Sequence, residues 1–195
     1  MAYQENLDWQ IFDRDGQRKY VSQAEHLRFL EAADREPEPI KALCYLLTYT
    51  GCRVSEALSL KPLHIDEERH VITFQTLKRR RLHFRSVPVP SFLSSMLLQL
   101  ETESQTKVWP IHRSTAWRLV KRIMGYAQIH GPQATCKGLR HGFGIRAATQ
   151  SVPQNLITRW MGHASLSTTA IYLNAVGSEE RLFAGRMWAR QTKDP

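Results

Sequence analysis

From Ser104 to Ser178 the chain contains no aspartate and no glutamate. That segment carries nine Lys and Arg, whereas residues 1–103 balance 14 Lys and Arg against 15 Asp and Glu. The formal net charge of +9 therefore sits in one stretch. A field of one sign over so long a segment attracts a polyanion, since solvated faces normally mix both signs. It also leaves that segment without carboxylates to hold a divalent metal. Cysteine is sparse as well: Cys44, Cys52 and Cys136 form no CxxC pair. That excludes a disulfide framework or a zinc ribbon and suits a reducing compartment. His112, His130, Cys136 and His141 lack zinc-ligand spacing. No apolar run approaches the ~20 residues of a membrane span. The start, Met1-Ala2-Tyr3-Gln4-Glu5-Asn6, has neither the basic nor the apolar region of a signal peptide. The expected location is cytoplasmic. At 195 residues and 42% hydrophobic content, one globular domain with short extensions is expected.

Residues 1–20 are polar and mixed in charge and read as an arm or tail. Ser22-Gln23-Ala24-Glu25 has the form of a capping box, in which a serine oxygen and a glutamate satisfy each other's free amides. Glu36-Pro37-Glu38-Pro39 ends that first helix and starts a second. The second helix runs through Leu43, Leu46 and Leu47, and Gly51 suits its C-terminal cap. A short helix spans Val54 to Leu60. The period then changes: His70-Val71-Ile72-Thr73-Phe74 and Phe84-Arg85-Ser86-Val87-Pro88-Val89 read as two strands around a basic tip, Lys78-Arg79-Arg80-Arg81. Helices are expected at about 91–101, 114–128, 138–150, 154–161, 167–176 and 179–190. The fold class is α+β and mainly helical, with one small antiparallel sheet inserted early.

Several side chains carry chemistry suited to a phosphodiester. Arg53 follows the Gly51 cap and opens a short helix. From there its guanidinium can grip a phosphate by two parallel N–H bonds, or simply pair with Glu56 on the surface. Lys78 at the hairpin tip can reach a leaving group, although physics alone does not separate it from Arg79, Arg80 and Arg81, which suit the phosphate backbone. Arg140 and His141 are expected to open a helix after Gly138, with Lys137 one turn earlier. Free amides at such a helix start bind anions. His163 follows a glycine turn and titrates near neutrality in its ordinary state. Tyr172 lies on a helix starting near Ser167, where a half-buried core role is the commoner one. Together these groups supply an oxygen nucleophile, cations for developing charge and a proton donor.

The order Arg53, Lys78, Lys137-Gly-Leu-Arg140-His141, Gly162-His163 and Tyr172 resembles the tyrosine recombinase, or phage integrase, family. Leu46 through Leu58 looks like its first-arginine box. Leu139-Arg140-His141-Gly142-Phe143 looks like its second. Trp160-Met161-Gly162-His163-Ala164-Ser165 with Thr168-Thr169-Ala170-Ile171-Tyr172 looks like its tyrosine box. The resemblance covers about residues 21–190. It implies a catalytic domain over 21–178 that cuts and rejoins double-stranded DNA without cofactor, metal or ATP. Arg53 and Arg140 would clamp the phosphate, Lys78 protonate the leaving 5′-oxygen, and His163 support the phosphate. Lys137 would join the catalytic set by holding the phosphate, Tyr172 would form a 3′-phosphotyrosine, and Glu56 and His141 would support the site. Arg85, Arg113, Arg118, Lys121 and Arg122 are assigned to the DNA backbone. The tail, 179–195, with Leu182, Phe183, Met187 and Trp188, is expected to dock on a neighbouring protomer in a tetramer on DNA.

Two departures mark this sequence. Lys137 stands where the family usually has histidine, and lysine is a poorer base near neutral pH. Residues 1–20 are also too few for the helical domain that typically precedes the catalytic one. The chain then reads as a catalytic fragment or as a short member resembling the fimbrial phase-variation invertases, which its start favours. A helper protein is a possible source of the missing DNA clamp. The competing functions are a non-catalytic DNA-binding protein and a type IB topoisomerase-like enzyme. The catalytic reading requires both guanidiniums to converge with the phenol beside them. A phenol packed into the apolar interior would reduce the chain to polyanion binding.

Overall fold

The Ser22 hydroxyl accepts the Glu25 amide at 3.3 Å and the Glu25 carboxylate accepts the Ser22 amide at 2.9 Å. This box starts helix α1 (Gln23–Ala33). In a computed structural model of the chain, residues 10–76, 83–100 and 103–173 are described. Helix α2 (Glu38–Thr50) carries Pro39 in its first turn and ends at Gly51, whose φ of 59° closes it in the left-handed conformation. Helix α3 (Val54–Ala57) follows at once, with Arg53 as its N-cap. A 3₁₀ turn at Pro62–His64 leads into strands β1 (Ile65–Asp66), β2 (Val71–Gln75) and β3 (Phe84–Pro88). They form an antiparallel sheet in that order, with Ile65 opposite Ile72 and Phe74 opposite Arg85. Helices α4 (Ser91–Leu98), α5 (Arg113–Tyr126), α6 (Cys136–Thr149), α7 (Gln154–Met161) and α8 (Ser167–Leu173) complete the described elements.

The main core joins α1, α2, α5 and the sheet. Phe29, Leu43, Leu46, Leu47, Ile72, Phe74, Ile123, Met124 and Leu139 are all buried there. A second, smaller cluster lies on the other side of α6 and holds Ile11, Ala147, Ile157, Met161 and Tyr172. Helix α6 is thus shared by both cores, contacting α2 and α1 as well as α7 and α8.

Three expectations change here. β1 pairs only two residues, too few to show any alternation in the sequence. The polar stretch read as an arm through residue 20 is packed on the domain from Gln10 onward. Phe12 bridges Arg18, Ile11 is buried in the second cluster, and Arg18 is ion-paired with Glu25. Helix α6 begins two residues earlier than expected, because Thr135 Oγ1 accepts the Gly138 amide at 3.0 Å. The expected tail helix lies outside the described residues.

Gly51 joins α2 to the site. A Cβ at this position would sit 2.5 Å from the Phe143 ring, in a conformation that L side chains rarely adopt. Gly51→Ala is expected to lower stability by about 2 kcal/mol, combining backbone strain with overpacking. Urea unfolding checks this, and an unchanged midpoint would contradict the packing described.

Candidate active site

The last carbonyls of an α-helix have no partner within it and need donors from elsewhere. At the end of α7, Gly162 turns left-handed, with φ of 64°. The Gly162 and His163 amides then return to the Arg159 and Thr158 carbonyls at 3.1 and 3.0 Å. The next three carbonyls are each taken by an arginine. Arg85 Nε donates to Trp160 O at 2.8 Å, Arg140 Nη2 to Met161 O at 2.6 Å, and Arg53 Nη2 to Gly162 O at 3.4 Å. Cations are favoured at this end of a helix by its dipole. A side chain at Gly162 would be strained by the positive φ and would displace Arg85, since its Cβ would lie 2.9 Å from the Arg85 guanidinium carbon.

One carboxylate knits the arginines together. Glu56, 3% exposed, accepts Arg53 Nη1 at 2.8 Å and Arg85 Nη1 at 3.1 Å on Oε1. On Oε2 it accepts Arg85 Nη2 at 2.7 Å and the Arg53 amide at 2.8 Å. Burial pushes the Glu56 carboxyl up, but Arg85 and Arg53 outweigh it and hold it below its ordinary value. Arg140 is anchored separately, with Nη1 on Gly51 O at 2.6 Å. Burial, with Arg53 beside it, lowers Arg140 to about 10, so it stays charged at neutral pH. Among the described residues, three guanidiniums therefore cluster with one carboxylate that bonds two of them, an excess of two positive charges. Uncompensated charge in a low-dielectric setting favours an anion strongly. Arg53 is the most open of the three, with 19% of its side chain exposed. A cavity of about 490 Å³ opens alongside, lined by Arg85, Ser86, Thr158, Gly162 and His163 among others.

The imidazoles and the phenol lie beyond the arginines. His163 Nδ1 bonds Thr169 Oγ1 at 2.8 Å, and its ring stacks on Tyr172 with centroids 6.0 Å apart. The Tyr172 hydroxyl meets His141 Nδ1 at 3.0 Å, and the ring lies over Gly144. Burial raises the phenol to about 12, although Arg140 and Arg53 pull the other way. Tyr172 is only 1% exposed.

The structure brings together Arg53, Arg140, Glu56, His141, His163 and Tyr172. The guanidiniums converge as required, while the phenol lies inside the second cluster and not open beside them. Arg85 corrects its backbone-binding assignment: it is 4% exposed and holds Glu56, Thr76 and Trp160. Period-two alternation carried the signal, since inward Val87 places Arg85 on the same face of β3. Arg140 and His141 also lie in the second turn of α6, not at its start. Lys137 is exposed in the first turn. Arg113 and Arg118 are exposed on α5 and Lys121 is half-buried, whereas Arg122 pairs with Glu36 at 2.6 Å. Lys78, Arg79, Arg80 and Arg81 lie outside the described residues. Thr76 and Thr158, which brace the site, had no sequence signal that singled them out, and Thr169 lies in the tyrosine box without a role assigned to it.

A family model described as "Phage integrase family" matches residues 19–178. The chain belongs to that family. Among curated relatives, the tyrosine recombinase XerA of Pyrococcus furiosus is 28% identical over 167 residues, covering 79% of this chain and 56% of that protein. XerA of Thermococcus onnurineus is 33% identical over 143 residues, covering 67% and 49%. The chain thus spans about half the length of these relatives. Among solved structures, a XerA recombinase superposes with a TM-score of 0.72 at 25% identity, over 90% of this chain and 66% of that one. A XerH recombinase bound to palindromic difH substrate, a post-cleavage complex, gives 0.75 at 20% identity, over 94% and 63%. This integrase-family chain therefore has the tyrosine recombinase catalytic fold. Among the described residues no helix is long and apolar enough to cross a membrane.

The buried imidazoles predict acid sensitivity. Burial, with nearby cations, lowers His141 and His163 to about 3 and His26 to about 4, from an ordinary 6.5. Below pH 6.5 the unfolded chain takes up protons that the folded chain refuses. Stability therefore falls as pH drops, by up to about 1.4 kcal/mol per pH unit for each histidine. Urea unfolding from pH 7.5 to 5 reads this slope, and a flat profile would contradict the neutral, buried rings.

Proposed function

We propose that this chain is a site-specific DNA recombinase that cuts and rejoins double-stranded DNA through a covalent tyrosine intermediate. The observation that carries the reading is the convergence of Arg53, Arg85 and Arg140 on the carbonyl end of α7, with Tyr172 close enough to feel Arg140 and Arg53. A scissile phosphodiester supplies the anion that the excess charge favours. Arg53 and Arg140 hold its non-bridging oxygens, and Arg85 fixes Glu56 beneath them. The Tyr172 oxygen bonds to phosphorus as the bond to the 5′-oxygen breaks, and that oxygen takes a proton, a role given to Lys78. The phosphotyrosine ester conserves the bond energy, so resealing needs no ATP. Neutralisation by direct guanidinium hydrogen bonds stands in for what a metal pair does in other phosphoryl-transfer sites.

The burial of Tyr172 counts against catalysis by the condition set above, but its hydroxyl lies on His141 and its ring on His163 rather than among apolar side chains alone; the phenol must leave this cavity before it attacks, because a 1% exposed ring cannot meet DNA. The same burial favours a second reading, a non-catalytic DNA-binding protein on this scaffold. Exposed Arg113 and Arg118 on α5 suit either reading as phosphate contacts, as do the basic residues of the 78–81 tip. We also assign the chain a tetrameric assembly on two duplexes through tail exchange, with an accessory protein to complete the DNA clamp and a location at the nucleoid. Solved relatives described as bound to difH substrate and to circular intermediate DNA support DNA as the partner.

The test is incubation with random-sequence duplexes carrying a nick that traps the cleaved strand. The chain is expected to form a denaturant-resistant protein–DNA adduct at Tyr172, lost in Tyr172→Phe. Arg140→Lys is expected to reduce adduct formation by about a hundredfold while leaving part of the binding. Native electrophoresis should show two duplexes held together, and only singly occupied duplexes would exclude the tetramer. Salt-dependent binding without any adduct would select the non-catalytic reading.

A further inference from the structure

His163 is held by a short line of hydroxyls that the reading above leaves unused. Its Nδ1 lies 2.8 Å from Thr169 Oγ1, which lies 2.8 Å from Thr158 Oγ1, which in turn lies 2.8 Å from the Gln154 carbonyl. Thr169 is fully buried. The contacts join α7, the glycine turn and α8, so they also set the angle at which the imidazole faces the arginines.

Each hydroxyl has one proton to give, and a neutral imidazole has one ring proton on one of two nitrogens. Two arrangements put a proton in both contacts between Thr158 and the ring, and the geometry at the Thr158–Thr169 contact has Thr158 as the donor, as in the first. In the first, Thr158 donates to Thr169, Thr169 donates to Nδ1, and the ring proton sits on Nε2. In the second, Thr158 donates to the Gln154 carbonyl, Thr169 donates to Thr158, and the ring proton sits on Nδ1. The second leaves Nε2 with only a lone pair, which a phosphate oxygen repels. The first gives up the Thr158 bond to the Gln154 carbonyl, which keeps the donor that the helix ladder supplies within α7.

We infer that Thr169, supported by Thr158, is a positioning residue that keeps the ring proton of His163 on Nε2 when a phosphate occupies the site. The imidazole then acts as a neutral donor to phosphate oxygen through Nε2, with no net gain or loss of a proton. This deepens the strand-transfer reading and rests on it, since it takes His163 to face the phosphate once Tyr172 has left the stack. The surrounding guanidiniums explain why a neutral donor is needed. Burial, then Arg140 and Arg53, hold the imidazole near 3, so a charged donor is not on hand at neutral pH.

The experiment uses the full chain. Thr169→Val removes the hydroxyl at similar volume and is expected to slow adduct formation on the nicked duplex by about ten- to a hundredfold, with half-saturating DNA unchanged. Thr169→Ser restores the donor and is expected to stay within about threefold of the parent. Thr169→Val added to His163→Ala is expected to slow the reaction no further, because the threonine acts only through the ring. Nitrogen NMR of ¹⁵N-histidine protein, with Tyr172→Phe holding the nicked duplex uncut, is expected to show His163 protonated at Nε2. A proton on Nδ1 in that complex, or Thr169→Val reacting like the parent, overturns the inference. Should Thr169→Val not fold, the NMR reading and Thr169→Ser still decide. If the parent chain makes no adduct at all, the strand-transfer reading fails instead. The tautomer measured with inorganic phosphate then tests the hydroxyl line by itself.

Discussion

Everything in the site depends on how the carbonyl end of helix α7 is satisfied. Three carbonyls in a row, Trp160, Met161 and Gly162, would be bare without Arg85, Arg140 and Arg53. Those arginines arrive from β3, α6 and the start of α3. One helix terminus thus fixes three distant segments at hydrogen-bond distances, and Glu56 ties two of the three together. Such clustering of like charge would normally be costly. Here the helix dipole, the single carboxylate and the Gly51 carbonyl offset much of it, and the remainder makes the site selective for an anion. The same bonds that close the fold thereby hold two guanidiniums ready for a ligand, so little reorganisation is left for the moment of reaction.

Much of this was legible in the chain itself. The capping box at Ser22, the glycine caps at Gly51 and Gly162, and the two longer strands follow from local rules that tertiary structure did not override. The candidate residues Arg53, Arg140, His163 and Tyr172 were legible as an ordered set. Arg85 was not placed correctly, because charge was weighed ahead of the alternation that points it inward. β1 escaped because its existence depends on its partner strand, not on its own two residues. The role of the threonines was illegible for a related reason: hydroxyls at positions 158 and 169 matter only when α7 and α8 cross.

Tyr172 shows how little of a side chain's state a motif fixes. Its place on α8 follows from the tyrosine box, yet its burial is set by what surrounds it. The bare surface of Gly144 admits the ring, His141 takes the hydroxyl, and Met161 and Ile157 close the cavity. Helix α6 is therefore divided between two tasks. Arg140 faces the carbonyl cluster, while the next residue faces the nucleophile.

The second cluster has another wall, built by Ile11 from the segment that precedes α1. Ile11 and Tyr172 belong to one buried cluster with Ala147, Ile157 and Met161, so the departure of either would leave apolar surface exposed in the remainder. Thermodynamic reciprocity then applies: whatever lifts residues 10–20 away makes the phenol easier to release, and a released phenol makes that segment easier to lift. The amino-terminal stretch is in this sense a counterweight to the nucleophile, set at the far end of the chain.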